Sequence, residues 1–288
     1  MKRPRPSLDV TVKGFRFAFS LRSYVMGVLN VTPDSFSDGG KYYDTQKAIG
    51  HAVEMAREGA DIIDVGGEST RPAAYDISED EEMRRVIKVV KAISKKVDIP
   101  ISIDTRKAAV AKAAIREGAS IINDVSGLKH DPKMAKVAAQ AGVAVIVMHM
   151  KGTPRDMQQH PRYRDVVREI IESMKESIRI AERAGIKKEK IIVDPGIGFG
   201  KTVGHNLEIL NRLGELKALG RPICVGTSRK SFIGKVLNLE DPRDRLAGTI
   251  ATCAIAVMNG ANLLRVHDVS EARSAAAMAD GVLRMKAE

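Results

Sequence analysis

The sequence has no tryptophan, only 4% aromatic residues and two cysteines among 288 residues. So few aromatic rings argue against a base-stacking nucleic-acid platform, and no nucleic-acid motif is present. Cys224 and Cys253 each stand alone in apolar surroundings, without a CxxC or a Cys/His cluster. We therefore expect core thiols rather than a metal site or a redox pair. No apolar run is long enough for a signal peptide or a membrane span, so we expect a cytoplasmic protein without a membrane partner.

The charge balance is strongly basic, with a formal net charge of +11 and an isoelectric point near 9.6. Such an excess suggests an anionic ligand or partner. Much of it lies in helix-like segments between polar neighbours, at Lys187, Lys188 and Lys190 for example, where a solvated face is expected. A non-catalytic anion-binding or RNA-binding barrel remains an alternative, which salt-sensitive RNA affinity without turnover would favour.

The hydropathy pattern alternates regularly between two kinds of segment. Apolar runs typical of buried parallel strands occur at 24–30, 61–65, 99–103, 120–123, 143–148, 191–193, 223–225 and 262–266. Helical spacing follows each of them, at 45–58, 80–96, 107–116, 132–141, 163–184, 206–218, 244–258 and 270–286. Eight strands that each precede a helix predict an α/β protein with a (β/α)8 TIM barrel. An open doubly wound sheet is the alternative, but no G-x-G-x-x-G follows the first strand.

Two further patterns concern domain organisation. Alternating apolar residues around Lys13-Gly14 predict a short N-terminal β-hairpin at about 8–19. The segments 59–64, 118–123 and 260–265 share one pattern, in which a Gly ends a helix, an apolar strand follows and a polar residue lies at the carboxyl end of that strand. No Pro/Gly/Ser linker divides the chain, so residues 1–288 are predicted to form a single domain.

The stretch 26–40 combines a buried strand with a long polar loop. Asn30 lies at the carboxyl end of the strand, where ligands gather in parallel α/β proteins. The following loop carries Asp34, Phe36 and Asp38, which indicates a mobile lid over a site. An ordinary surface loop is the alternative interpretation.

Every predicted strand delivers polar side chains at or just beyond its carboxyl end. These are Asn30, Asp64, Glu68, Thr70, Arg71, Asp104, Arg106, Asn123, Asp124, His149, Asp194, Thr227, Ser228, Arg229, Lys230, Arg265 and His267. A barrel concentrates such groups at one mouth, which we interpret as an active site.

One subset offers carboxylates, an amide and a cation, at Asp104, Asn123, Asp194 and Lys230. Carboxylates that accept paired N–H groups suit a flat heterocycle with an amidine-like edge. A structural ion pair at the barrel floor, between Asp194 and Lys230 for example, is the alternative interpretation.

A second subset is suited to anions and contains Asn30, Thr70, Arg71, Arg265 and His267. Two arginines with a histidine and neutral oxygen atoms fit a diphosphate clamp with Mg²⁺. Asn30 offers a metal only an amide oxygen, so water and phosphate oxygens would have to complete the shell. His267 could instead be a surface imidazole. Phe199, within the glycine-rich segment 194–201, is either a pocket wall or a loop anchor.

Taken together, these motifs resemble the dihydropteroate synthase family, in order and over nearly the whole chain. The matching segments are LNVTPDSFSDGG at 29–40, GGESTRP at 66–72, SIDT at 102–105, NDVSG at 123–127, MHMKGTP at 148–154, DPGIGFGK at 194–201, GTSRKSF at 226–232 and RVHDV at 265–269. The resemblance implies a transferase of folate biosynthesis. It would condense 6-hydroxymethyl-7,8-dihydropterin diphosphate with 4-aminobenzoate, giving 7,8-dihydropteroate and diphosphate.

The resemblance also implies roles for individual residues. The catalytic set would be Asp104, Asp194, Lys230, Arg265 and His267. Asp104, Asn123, Asp194 and Lys230 would hold the pterin, with Met148 lining its pocket. Thr70, Arg71, Arg265 and His267 would bind the diphosphate, and Asn30 its Mg²⁺. Phe199, Lys230 and Ser231 would line the aminobenzoate position, where sulfonamides also bind in this family. Phe36, Asp38, Arg71 and Pro72 would close over the site.

The departures from the family pattern are small. Ala73 and Lys151 stand where the family usually has Gly and Gln, which stiffens one loop and adds positive charge near the mouth. A pterin-binding methyltransferase shares this barrel and is the second functional alternative, but it needs no diphosphate clamp. The resemblance further implies a homodimer, formed through late helices such as 244–258.

Overall fold

A computed structural model describes residues 8–32, 41–69 and 75–284. Its strands are β1 Val10–Val12, β2 Phe15–Phe17, β3 Tyr24–Asn30, β4 Ile62–Gly66, β5 Ile101–Asp104, β6 Ile121–Asp124, β7 Ala144–Met148, β8 Ile191–Asp194, β9 Cys224–Val225 and β10 Leu263–Val266. Its α-helices are α1 Lys41–Arg57, α2 Glu79–Ile93, α3 Ala108–Arg116, α4 Met134–Ala141, α5 Val166–Arg183, α6 Val203–Asn211, α7 Ser231–Leu237, α8 Leu246–Met258 and α9 Val269–Arg284.

Strands β3 to β10 form one parallel sheet that curves into a barrel. The spatial order is β8-β7-β6-β5-β4-β3-β10-β9. A single parallel bridge between Val193 and Ile223 joins the two ends, with the N–H of Val193 donating to the Pro222 carbonyl at 2.9 Å. The predicted TIM barrel is thereby confirmed, and β8 and β9 share fewer paired residues than any other two neighbouring strands of the sheet.

Alternation along the strands divides the interior into two layers of packing. Residues such as Val25, Ile63 and Val145 face outward and are fully buried against the surrounding helices. A separate cluster joins inward residues near the amino-terminal ends of the strands to the predicted hairpin. It contains Val10, Val12, Phe17, Phe19, Tyr24, Met26, Ile62, Ile121, Ala144, Ile146, Ile192, Cys224 and Leu263. The hairpin thus packs at the end of the barrel opposite the predicted site.

The repeated glycine predicted between helix and strand has a conformational cause. Gly59, Gly118 and Gly260 have φ angles of +97°, +118° and +110°, a region that side-chain-bearing residues rarely adopt. Each of these glycines follows the end of a helix, and the next strand begins within three residues. The repeat in the sequence is therefore a repeat of one helix-to-strand turn.

Two helical segments differ from the prediction. The segment predicted at 206–218 is α6, which starts earlier, followed by a 3₁₀ helix at Leu213–Leu219. Thr202 and His205 form a capping box, and these reciprocal bonds fix the start of α6 ahead of its apolar pattern. Helix α7 was not predicted, because seven residues are too few to show a helical period. Among the described residues, none of the helices combines the length and apolar character that a bilayer crossing requires.

Candidate active site

The carboxyl ends of the barrel strands carry an inward-facing polar layer. Register pairing sets Asp104 beside Asn123, and Met148 beside Asp194, on adjacent strands. These four side chains are at least nine-tenths buried. Side chains at alternate positions point to the same face of a sheet, so the polar layer lies directly above the apolar interior.

Arg265 of β10 links this layer across the barrel. Its Nε donates to Asp64 Oδ2 at 2.7 Å, and its Nη2 donates to Asp104 Oδ2 at 2.7 Å. Asn123 Nδ2 donates to the same Asp64 oxygen at 3.0 Å. Arg265 was assigned to the anion-binding subset, yet its guanidinium contacts Asp104 of the other subset and Asp64, which was in neither. The two subsets therefore form one connected site.

Burial and charge set the protonation behaviour of this layer. Burial, assisted by the neighbouring Asp64, raises the pKa of Asp104 to about 7, although Arg265 opposes the shift. Burial also raises the pKa of Asp194, against the nearby positive charges of Lys230 and Arg265. The pKa of Arg265 is raised because both carboxylates favour its charged form. Such perturbed carboxyl groups in a cleft are typical of a functional site.

Lys230 faces Asp194 from the loop after β9. Its Nζ donates to the Ile197 carbonyl and lies 4.7 Å from the centre of the Phe199 ring. Asp194 Oδ1 instead accepts the Gly196 N–H at 2.7 Å. No direct Asp194–Lys230 ion pair occurs, so that alternative is wrong for these two described residues. Burial nevertheless lowers the pKa of Lys230 to about 8, despite the neighbouring charge of Asp194.

His267, which follows β10, is oriented by Ser228 of the loop after the neighbouring strand β9. Ser228 Oγ accepts the main-chain N–H of His267 at 3.2 Å and lies 3.0 Å from His267 Nδ1. In the tautomer with hydrogen on Nε2, Nδ1 accepts from the Ser228 hydroxyl while Ser228 Oγ accepts the main-chain N–H. His267 is half-buried and bonded to Ser228, and its part in the site stays a prediction.

Five predicted site residues lie outside the described residues: Phe36, Asp38, Thr70, Arg71 and Pro72. The residues flanking 70–74 are held by a buried ion network. Arg106 donates from Nε to Glu68 at 3.2 Å and from Nη2 to Asp76 at 2.5 Å. Lys107 Nζ contacts Glu68 at 2.9 Å and the fully buried Glu82 at 2.6 Å. Arg106 therefore ties the residues on both sides of this segment to the start of α3.

Asn30 supplies one oxygen of the kind that Mg²⁺ binds, but not a complete coordination shell. The half-buried Asn30 ends β3, and its side-chain oxygen faces the neighbouring Gly66. No group of three or more His, Cys, Asp or Glu side chains among the described residues could hold a metal ion. Mg²⁺ prefers six oxygen ligands, usually including waters and substrate phosphates. Asn30 therefore fits the ion only as one ligand beside a bound diphosphate.

The remaining predicted residues are also near these strand ends. Met148 is buried at the end of β7, and Ser231 is the exposed first residue of α7, directly after Lys230. Sequence reasoning did not assign site roles to Asp64 and Ser228, although both stood among the strand-end residues. The alternation of side chains along β4 could have identified Asp64. It lies two residues before Gly66, which pairs with Asp104, so Asp64 and Gly66 face the same side of the sheet.

Comparison with known proteins agrees with this geometry. The sequence model of the pterin binding enzyme family matches residues 26–267. The chain is 48% identical to the dihydropteroate synthase of Bacillus subtilis over 274 residues, covering 95% of this chain and 93% of that one. The chain belongs to the dihydropteroate synthase family. As members of this family are transferases, the chain is an enzyme of that class.

Solved structures of dihydropteroate synthases share the fold over nearly the full chain. The Clostridium difficile enzyme, crystallised in the presence of pteroic acid, is 50% identical with a TM-score of 0.87, over 92% of this chain and 98% of that one. The Xanthomonas albilineans enzyme with 4-aminobenzoic acid is 41% identical with a TM-score of 0.91, over 97% and 100%. The likeness to this family therefore includes the barrel fold as well as the sequence.

Proposed function

We propose that the polar mouth of this barrel carries out the dihydropteroate synthase reaction with the residues predicted from the sequence. The substrates are 6-hydroxymethyl-7,8-dihydropterin diphosphate and 4-aminobenzoate, and the products are 7,8-dihydropteroate and diphosphate. The observation that carries the proposal is the bonding of Arg265 to both Asp64 and Asp104. It brings a carboxylate-rich side and a cation-rich side together in one buried layer.

The pterin binds on the carboxylate side. Asp104 and Asp194 accept N–H groups from the edge of the heterocycle, and burial strengthens such bonds. Asn123 commits its Nδ2 to Asp64, which leaves its amide oxygen directed at the ligand. Met148 provides apolar packing against the ring, and Lys230 contacts its polar edge from the adjoining loop.

The diphosphate leaves toward the cationic side. Arg265 and the Nε2–H of His267 bind the departing oxygens, together with Thr70 and Arg71. Asn30 would hold Mg²⁺ together with the diphosphate, and the bound ion would supply charge neutralisation for the leaving group. The electron pair of the C–O bond departs with the diphosphate, and the buried carboxylates favour the cationic pterin that remains.

The second substrate binds where Phe199, Lys230 and Ser231 meet, with Phe36, Asp38, Arg71 and Pro72 closing over it. Its amine attacks the exocyclic carbon of the pterin and then loses a proton. This step requires positioning more than a strong base, and no residue acts as a covalent nucleophile.

One assay tests the proposal. Purified protein is incubated with both substrates, and dihydropteroate and diphosphate are quantified with and without Mg²⁺. We expect diphosphate release that depends on 4-aminobenzoate and stops after chelation. Failure to form dihydropteroate when both substrates and Mg²⁺ are present would contradict the reaction, and full activity in chelator would contradict the Mg²⁺ assignment alone.

A homodimer is part of the proposal, supported by exposed apolar side chains on the two packed helices α8 and α9. Ile255 and Met258 on α8, and Met278 and Val282 on α9, are 42–71% exposed. Apolar patches of this kind are typical of subunit interfaces. Sedimentation should give twice the monomer mass for the wild type and a larger monomer fraction for Ile255→Lys.

Two further assignments complete the proposal. Residues 1–288 form one domain, which is supported by Asp280 near the end of α9 accepting the Ser23 N–H at 2.6 Å. The protein acts in the cytoplasm, and its two buried free cysteines suit a reducing compartment.

A further inference from the structure

The loop that joins β8 to α6 carries Phe199, and side chains from other segments hold its main chain. Asn206 Oδ1 accepts the N–H of Gly198 at 2.7 Å, and Gln158 Nε2 donates to the carbonyl of Gly198 at 2.6 Å. The hydroxyl of Tyr163 donates to the Gly200 carbonyl at 2.8 Å. Loops that bear ligand contacts are usually less constrained than this.

Lys201 is a further support of this loop and is buried, at 3% exposure. Its Nζ lies 2.9 Å from the Phe199 carbonyl, 3.0 Å from His149 Nδ1 and 3.4 Å from the His149 carbonyl. Burial, with the charge of Lys201 beside it, lowers the pKa of His149 to about 2, so the imidazole is neutral. Lys201 therefore joins the loop after β8 to the end of β7 through three acceptors.

The main chains of the loops after β7 and β8 pack closely together, and this packing explains the position of the Lys201 side chain. Gly196 and Gly200 have φ angles of +68° and +64°, and a Cβ on either would collide with the carbonyl of His149 or Lys151. The two loops thus pack backbone against backbone, without side chains between them. In this arrangement Lys201 supplies the polar contacts that fix where Phe199 is presented.

We propose that Lys201 is a positioning residue for the second substrate. It fixes the Phe199 main chain, and thereby the ring that lies beside Lys230 Nζ, without itself touching a reacting atom. This role rests on the proposed function, in which Phe199 and Lys230 border the 4-aminobenzoate position. Among the described residues that hold the first substrate, Asp104, Asn123 and Asp194 form no hydrogen bond with Lys201.

The test substitutes Lys201→Met, which keeps the length of the side chain and removes its donors. We expect the KM for 4-aminobenzoate to rise about tenfold, because the loss of a buried hydrogen bond has this magnitude. The KM for the pterin diphosphate should stay within about twofold of wild type. Amide hydrogen exchange at Gly198 and Phe199 should accelerate. Lys187→Met, an exposed lysine at the other end of β8, is the matched control and should leave both constants unchanged.

Tyr163→Phe provides an independent variant, since it removes only the hydroxyl bond to Gly200 and keeps the ring. It should raise the KM for 4-aminobenzoate about threefold, with the pterin constant unchanged. An equal rise of both constants in Lys201→Met, or no rise in either variant, would overturn the positioning role. If Lys201→Met does not fold, Tyr163→Phe decides alone. Absence of wild-type activity would instead contradict the proposed function, so the two failures are distinguishable.

Discussion

Asp64 offers the sharpest test of the connected polar layer. It is fully buried on β4, and its Oδ2 accepts from Arg265 and from Asn123, on two other strands. Its Oδ1 has no hydrogen-bond partner among the described residues. One oxygen thus holds both the cation and the amide in place.

Two substitutions of Asp64 should have different costs. In Asp64→Asn the amide oxygen can still accept both bonds, but the charge is lost and an NH2 group replaces the unpaired Oδ1. We expect about 1–2 kcal/mol less stability, the difference between charged and neutral hydrogen bonds. Asp64→Ala leaves the Arg265 and Asn123 donors unpaired in a buried site, so about 3–5 kcal/mol is expected.

Urea unfolding measures these losses, and steady-state kinetics measures their effect on the reaction. For Asp64→Asn we expect kcat/KM for the pterin diphosphate to fall at least about tenfold, since a neutral acceptor holds both ligand-facing groups less firmly than the carboxylate does. Asp61→Asn is the matched control, because Asp61 pairs with Arg22 and Arg273 near the other end of the barrel. It should lower stability without lowering kcat/KM. Equal stability of Asp64→Ala and Asp64→Asn, or unchanged kinetics in Asp64→Asn, would refute the reasoning.

Three further predictions concern protonation and the charged side chains. Asp194→Asn and Lys230→Ala should each reduce turnover at least about tenfold, with far-UV circular dichroism unchanged, because each removes a charge beside the pterin. As pH rises through about 8, Lys230 loses its charge, so kcat/KM should fall on the alkaline side of its pH profile. Lys230→Arg should shift this fall to higher pH. The lowered pKa of His149, about 2 in the fold, means that its contribution to stability is present above about pH 6.5 and is lost as pH falls toward 2. His149→Asn should flatten the decline in unfolding free energy between pH 6.5 and 5, whereas an unchanged slope would contradict a neutral buried imidazole.

The barrel itself was predictable because its strands are long apolar runs with a repeated glycine turn. The angles at Gly59 and Gly118 explain why the pattern is so regular. Local capping was not predictable from apolar periodicity. The start of α6 depends on the Thr202–His205 capping box, and α7 is too short to have a period.

The site was predictable as a set of strand ends, but not in its internal connections. Asn123 and Asp124 are neighbours in sequence, yet only Asn123 bonds to the polar layer. Asp124 instead accepts from Ser126 and Leu128 and stabilises a turn. Strand parity separates the two residues, and it also identifies Asp64. The pairing of Arg265 with two carboxylates depends on three-dimensional distances that a linear motif does not contain.

The narrow pairing between β8 and β9 has a consequence for how the enzyme can deform. Only one bridge closes the barrel there, while β3 and β4 pair over five positions. Because a sheet opens most easily where it has the fewest hydrogen bonds, we expect local opening to concentrate at the β8–β9 junction. Asp194 ends β8 and Lys230 follows β9, so these two residues lie on either side of the junction. A small widening there would move apart the walls on either side of the second substrate, whereas the bonds of Arg265 to Asp64 and Asp104 do not cross this junction.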